Sequence, residues 1–197
     1  MNDKVLVKEA MKSNPVLVFP QTTVFEAAEL MKKHKNDTIL VVDGKHPVGI
    51  VTERDIVKKV VAENKNPGKT LIKEVMTTPV MIIDPYVTID DAMKLMGKCN
   101  IRRLPVVENN TLIGLITQND ISRISPTLHE ISREWSDIAD RNEATGKNLV
   151  FSGKCEDCGM LSSNLKNYDG QLLCEDCKDA FKYDEEVIGE EAKGGEE

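Results

Sequence analysis

Gly49-Ile50-Val51-Thr52-Glu53-Arg54-Asp55-Ile56 returns 65 positions later as Gly114-Leu115-Ile116-Thr117-Gln118-Asn119-Asp120-Ile121. Upstream, Ile39-Leu40-Val41-Val42 returns as Leu104-Pro105-Val106-Val107, and Val24, Ala27, Ala28 and Met31 return as Ile89, Ala92, Met93 and Met96. Val7-Lys8-Glu9-Ala10-Met11 returns as Ile72-Lys73-Glu74-Val75-Met76. A unit written twice sets the architecture before any chemistry is considered.

Each copy reads as the same succession of elements. A short helix or turn ends at Met11 or Met76, and an extended run follows, Pro15-Val16-Leu17-Val18 or Pro79-Val80-Met81-Ile82. Pro15 and Pro79 lie 64 apart, a slip of one residue against the repeat. Val24, Ala27, Ala28 and Met31 then fall at i, i+3, i+4 and i+7, one face of an amphipathic helix. Thr23, with Glu26 three residues on, has the capping-box spacing for its start. Thr38 to Val42 and Val48 to Thr52 are apolar, β-branched runs joined by Asp43-Gly44, a β-hairpin; Asn109-Asn110 makes the turn in copy two. The second hairpin strand runs straight into another helix at Asp55 or Asp120. The fold class is therefore α/β, a β-α-β-β-α unit used twice.

Thr52-x-x-Asp55 and Thr117-x-x-Asp120 have two readings. One is a helix cap, since this is capping-box spacing. The other is a nucleotide site. A helix start offers free N–H groups to phosphate. A carboxylate offers two acceptor oxygens to neighbouring ribose hydroxyls, and a Thr hydroxyl can add a bond. The two readings are compatible.

This repeated pattern resembles the cystathionine-β-synthase (CBS) domain, a small α/β module that usually occurs in tandem. The resemblance covers about residues 5–125. It rests on the Met11 and Met76 positions, Thr23-Val24-x-Glu26-Ala27, Leu104-Pro105-Val106-Val107, and Gly-hydrophobic-hydrophobic-Thr-x-x-Asp in both copies. It implies two clefts between the copies in which adenosine derivatives (AMP, ADP, ATP or S-adenosylmethionine) bind. Thr52, Asp55, Thr117 and Asp120 would hold the sugar and phosphate. The base would lie against the strand residues around Val16 and Val80, read by backbone groups. Arg54, Arg102 and Arg103 are the candidates for phosphate pairing, or plain surface residues. Arg54 has Asn119 opposite it in copy two, so the clefts are expected to differ. The resemblance also implies a homodimer. The sequence offers no nucleophile–base pair or paired carboxylates for catalysis, so a regulatory protein rather than an enzyme is expected.

Near the C-terminus Cys155-Glu156-Asp157-Cys158 and Cys174-Glu175-Asp176-Cys177 stand 15 residues apart. This C-x2-C-x15-C-x2-C spacing suits a tetrahedral four-thiolate metal site. Tyr168-Asp169-Gly170-Gln171 reads as a hairpin turn between two metal knuckles. The stretch is too short to bury a core alone, so a metal would stabilise it. Two disulfides or a thioredoxin-like redox pair are alternatives, disfavoured by the expected cytosolic setting and by the lack of a βαβ context. The segment resembles a zinc ribbon or a rubredoxin-like iron site. Gly159 follows Cys158 as in either family, but Lys178 stands where rubredoxin has Gly. Zinc and iron both remain open. Small archaeal proteins joining a CBS pair to such a metal end look similar to the whole chain.

The expected organisation is residues 1–62 and 63–125 for the two repeats, 126–147 for a linker helix, 148–183 for the metal domain and 184–197 for an acidic disordered tail. In the linker, Leu128, Ile131, Trp135 and Ile138 make one helical stripe, for packing within the chain or for a dimer contact. Net charge is −7, with seven acids and one lysine from Asp184 onward, so the body is nearly neutral. Such a body lacks the basic footprint of a duplex-binding protein. Residues 153–183 carry four lysines against six acids, which argues against nucleic acid at the ribbon too. No run approaches 18 apolar residues and the N-terminus lacks a signal pattern, so a cytoplasmic protein is expected. The ribbon would face an unidentified protein partner.

Three features are read as decoys. Gly68-Lys69-Thr70 resembles the end of a phosphate-binding loop, but Glu63 occupies the position of its first glycine. His34, His46 and His129 are scattered surface residues. Cys99 is read as a helix-end packing residue.

Overall fold

The two hairpins form as the sequence anticipates. The computed structural model describes residues 4–124, 149–168 and 170–180. In copy one, α1 (Val7–Ala10) and β1 (Leu17–Val18) precede α2 (Val24–His34), the hairpin β2 (Thr38–Asp43) and β3 (His46–Thr52), and α3 (Glu53–Ile56). Copy two has α4 (Ile72–Val75), β4 (Val80–Met81), α5 (Ile89–Lys98), β5 (Arg103–Glu108), β6 (Thr111–Thr117) and α6 (Gln118–Ile124). Gly44 turns the first hairpin at φ 61°, and Asn109 and Asn110 turn the second at 48° and 62°, a region Gly and Asn tolerate best. Thr23 caps α2, accepting from the Glu26 N–H at 3.2 Å while the Glu26 carboxylate accepts from the Thr23 N–H at 2.8 Å. Beyond α3 the helix loosens into a π-helical stretch, Val57–Val61. Wide turns of this kind carry no periodicity signal and are not legible in the sequence.

The repeats are interlocked. Val7 of α1 is fully buried with Ile83, Ile89, Met93, Leu104 and Ile116 of copy two. Ile72 and Val75 of α4 are fully buried with Val24, Ile39 and Val51 of copy one. Each core is thus completed by the other copy's opening helix. Burying one such aliphatic side chain stabilises by about 1.5–3 kcal/mol, so neither half keeps its core without the other. Backbone bridges repeat the exchange: Lys12 pairs with Leu115 and Thr77 with Ile50.

The slip at the first strand is confined to the prolines. Val18 pairs with Val41 and Ile83 with Val106, both in parallel and 65 apart. One bond is nevertheless lost. The Leu40 N–H donates to the Val16 carbonyl at 3.0 Å, but its counterpart is Pro105, which has no N–H. Copy two keeps only the bonds around Ile83, which donates to Pro105 and accepts from Val107.

The other edge of β4 is taken by the cysteine-bearing segment, β7 (Phe151–Lys154), β8 (Leu161–Tyr168) and β9 (Gln171–Leu173), followed by a helix over 175–180. Strand order is β4-β7-β8-β9, with Val80 opposite Ser152 and Met81 opposite Phe151. Tyr168 pairs with Gln171, so the expected hairpin turn forms there, with Gly170 at φ 92°. Val80, Ile82 and Val107 pack with Ile50, Leu112 and Val150 beneath this seam. His46 is not the free surface residue expected from sequence. Its Nδ1 lies 2.9 Å from Ser163 Oγ, which in turn lies 3.2 Å from the buried Ser152 Oγ. His34 is exposed, and Cys99 caps the end of α5 as expected. The linker stripe around Trp135, His129 and the acidic tail lie outside the described residues.

Candidate functional site: two interrepeat clefts and a thiolate cluster

The capping-box reading of Thr-x-x-Asp holds in both copies. Asp55 Oδ2 accepts from Thr52 Oγ1 at 2.6 Å and from the Thr52 N–H at 3.0 Å. Asp120 Oδ2 does the same with Thr117 at 2.6 and 3.1 Å. The second oxygen of each carboxylate faces a lysine instead. Asp55 Oδ1 lies 3.1 Å from Lys59 Nζ, and Asp120 Oδ1 lies 3.6 Å from Lys12 Nζ. Burial alone would raise the Asp55 carboxyl, but the bonds from Thr52 and Lys59 outweigh it and hold it below its ordinary value.

The interlocked backbone decides what stands beside each pair. The Ile50–Thr77 bridge sets the approach to β4 along β3, which ends at Thr52. The Lys12–Leu115 bridge sets the approach to β1 along β6, which ends at Thr117. The Lys12–Asp120 ion pair ties the second Thr-x-x-Asp pair to the segment after α1, and Lys59, which faces Asp55, donates to the Val75 carbonyl at the end of α4 at 2.7 Å. Val80 is buried and Val16 half-buried.

Of the three arginines, Arg103 reaches the other copy: its guanidinium pairs with Asp37. Asp37 adjoins Thr38, which lies opposite Thr52, and Arg103 itself lies opposite Thr117. Arg103 thus stands between the two Thr-x-x-Asp sites. Burial raises the Asp37 carboxyl, but bonds from Thr38 and Arg103 bring it below its ordinary value. Arg54 and Arg102 are exposed. Lys12, Lys59 and Asp37 escaped the sequence reading. Lys12 directly follows the repeated Met11, where Thr77 follows Met76, and that mismatch was its one available signal.

The four cysteines converge as their spacing requires. The sulfurs of Cys155, Cys158, Cys174 and Cys177 all lie within 4.8 Å of one another, and Cys158 and Cys174 are 3.9 Å apart. Tetrahedral thiolates about 2.3 Å from zinc stand about 3.8 Å from each other. Disulfide sulfurs would be about 2.05 Å apart, and all five cysteines are free. Gly159, at φ 70°, turns the first knuckle, and its N–H donates to the Cys155 carbonyl at 3.0 Å. The second C-x-x-C opens the helix over 175–180, where the Lys178 N–H donates to the Cys174 carbonyl at 2.9 Å. Burial would raise the Cys155 thiol, but the N–H groups of Cys174, Cys158 and Asp157 pull it down to about 6. This donor set fits a thiophilic metal ion.

Paired repeats with exchanged opening helices define a tandem α/β module of the regulatory class. The chain belongs to the CBS domain family, whose profile matches residues 7–62 and 72–126. It is 31% identical over 198 residues to an uncharacterised protein of Methanopyrus kandleri, covering 98% of this chain and 97% of that one. That span takes in all four cysteines. It is 34% identical over 189 residues to an uncharacterised protein of Methanocaldococcus jannaschii, covering 91% of this chain and 96% of that one. Among solved structures, the CBS domain pair of protein MJ0100, in complex with 5′-methylthioadenosine and S-adenosyl-L-methionine, superposes with a TM-score of 0.56. It is 33% identical and matches 61% of this chain and 98% of its own. A hexameric CBS-CP12 protein from bloom-forming cyanobacteria superposes with a TM-score of 0.60 at 29% identity, matching 75% of this chain and 92% of its own. No helix among the described residues is long and apolar enough to cross a membrane.

Proposed function

We propose that this protein is an adenine-nucleotide sensor of the AMP, ADP or ATP type, regulatory rather than enzymatic. The observation that carries this reading is that each Thr-x-x-Asp pair is tied to the stretch leading into the other copy's first strand, Asp120 through Lys12 and Asp55 through Lys59, which also bonds the Val75 carbonyl. In both copies Oδ2 is spent on the cap and Oδ1 faces a lysine. A ribose hydroxyl would donate to Oδ1, and the released lysine would turn to the phosphate. Arg103 would exchange Asp37 for a phosphate shared between the two sites. The base would lie along the strand at Val16 or Val80, with Arg54 and Arg102 at the rim. The adenosine ligands of the MJ0100 pair support the ligand class.

The cysteine cluster is the candidate structural metal site of a zinc-ribbon-like domain, held by Cys155, Cys158, Cys174 and Cys177. Iron would suit the same thiolates, and a red protein with a reversible redox couple would reassign the ribbon to electron transfer. A salt-dependent affinity for DNA or RNA would reassign it to nucleic-acid regulation. The protein is assigned to the cytoplasm, as a homodimer through the CBS pair. The exposed Val57 and Val61 of the π-helical stretch offer an apolar contact for that dimer. The two-module build is that of small archaeal CBS proteins, and a protein partner would read the ribbon. Calorimetry with AMP, ADP and ATP tests the nucleotide reading. Micromolar binding, about 8 kcal/mol, is expected; no heat with any of the three ends it.

A further inference from the structure

The two clefts share the Thr-x-x-Asp pair but differ in access. Ile82 and Leu17 stand 65 residues apart in corresponding strands, yet Ile82 is 8% exposed and Leu17 46%. Ile82 is covered because its N–H donates to the Val150 carbonyl at 3.1 Å and Val150 packs against the same cluster. Two residues along, Val80 opposite Ser152 is the next hydrogen-bonded pair of this antiparallel ladder. The outward edge of β4 is therefore fully used by the ribbon. β1 ends its own sheet, in the order β1-β2-β3, and its outward edge carries no strand among the described residues.

We infer that the ribbon closes one cleft and leaves the chain a single working nucleotide site, at Thr117 and Asp120 with Lys12 and the Val16–Leu17 edge. This rests on the nucleotide reading above. A base read by strand backbone needs an open edge, and β7 holds the edge at Val80. The strand edge that a base beside Thr52 and Asp55 would need is held by the chain's own β7. The closure is reinforced where Gly153 meets Pro79: a Cβ at 153 would lie 3.2 Å from the Pro79 Cβ. The other cleft keeps Leu17 uncovered and adds Lys12, absent from its counterpart, where Thr77 stands.

Calorimetry on the full-length protein tests this with AMP as the probe. One equivalent per chain is expected, weakened more than tenfold by Asp120→Ala. Two equivalents, or an affinity that Asp120→Ala leaves unchanged, overturns the single-site inference while leaving the nucleotide reading intact. If wild type binds none of AMP, ADP or ATP, the nucleotide reading itself fails. The closure is still judged, by amide hydrogen exchange on the unliganded full chain. The Ile82 amide should be strongly protected and the Leu17 amide should exchange fast; equal protection overturns the closure. Ser152→Pro removes an N–H from the ladder and is expected to raise AMP stoichiometry towards two. A stoichiometry of one, with the Ile82 amide deprotected, would also overturn it.

Discussion

The sulfur of Met76 lies across Gly49 of the other repeat so closely that a Cβ at position 49 would stand 2.5 Å from it. Met11 and Gly114 repeat the relationship, also at 2.5 Å, with the Lys12 carbonyl a further 2.9 Å neighbour. The glycine that opens each Gly-hydrophobic-hydrophobic-Thr motif is the seat of the partner repeat's methionine. This is where the two halves lock.

Alanine at these glycines should therefore separate by what must move. At 49 the nearest obstacle is a flexible methionine, which can rotate aside. At 114 a backbone carbonyl also stands in the way. Gly114→Ala is expected to destabilise by about 1–3 kcal/mol, as overpacking does, and Gly49→Ala by less. Denaturant midpoints at unchanged m-value measure the difference; equal losses would refute the carbonyl's part.

Acid should weaken the protein partly through Asp55. Its folded pKa is lowered, so the stability it contributes is complete above the ordinary aspartate value of about 3.9 and is lost as pH falls through the lowered folded value. Asp55→Asn should cost stability at neutral pH and flatten the decline below pH 4. Unfolding free energies from pH 2 to 7 check this; parallel curves for wild type and variant would contradict it.

The repeat made the β-α-β-β-α order, the caps at Thr23 and Thr52 and both hairpin turns legible, and the cysteine spacing did the same for the four-cysteine convergence, because each follows from local spacing. The exchange of α1 and α4 between cores was not, since Val7 and Ile72 read as equally apolar whichever core receives them. Lys12, Lys59 and Asp37 were missed for a related reason. A lysine's partner is set by which strand runs beside it, and neither the Lys12–Leu115 bridge nor the Arg103–Asp37 pair leaves a periodic trace. Pro105 was visible as part of the motif, but its effect on β4 depends on pairing across the sheet.

Metal removal should affect one module. Elemental analysis is expected to find one zinc or iron per chain, and Cys99→Ser to leave it in place, since Cys99 caps α5 away from the cluster. Structural zinc contributes on the order of 10–16 kcal/mol in small domains, so a strong chelator or Cys155→Ser should unfold the ribbon. Limited proteolysis should then cut within 149–180 while residues 4–124 stay resistant. Retained ribbon protection without metal would show that the three strands hold by packing alone.

The ribbon's attachment to copy one hangs on a short polar chain, His46 to Ser163 to Ser152, in which both serines are buried. A buried hydroxyl that loses its partner keeps its desolvation cost. His46→Ala, however, leaves Ser163 its bond to Ser152 and should cost the bond's net worth, about 0.5–1.5 kcal/mol. His46→Ala combined with Ser163→Ala should cost less than the sum of the two single changes, because both single changes break the same His46–Ser163 bond. A double-mutant cycle, read by hydrogen exchange in β8 and by global unfolding, measures the coupling. Additive losses would mean that His46 and Ser163 act independently, and that the β4–β7 ladder alone holds the ribbon to the repeats.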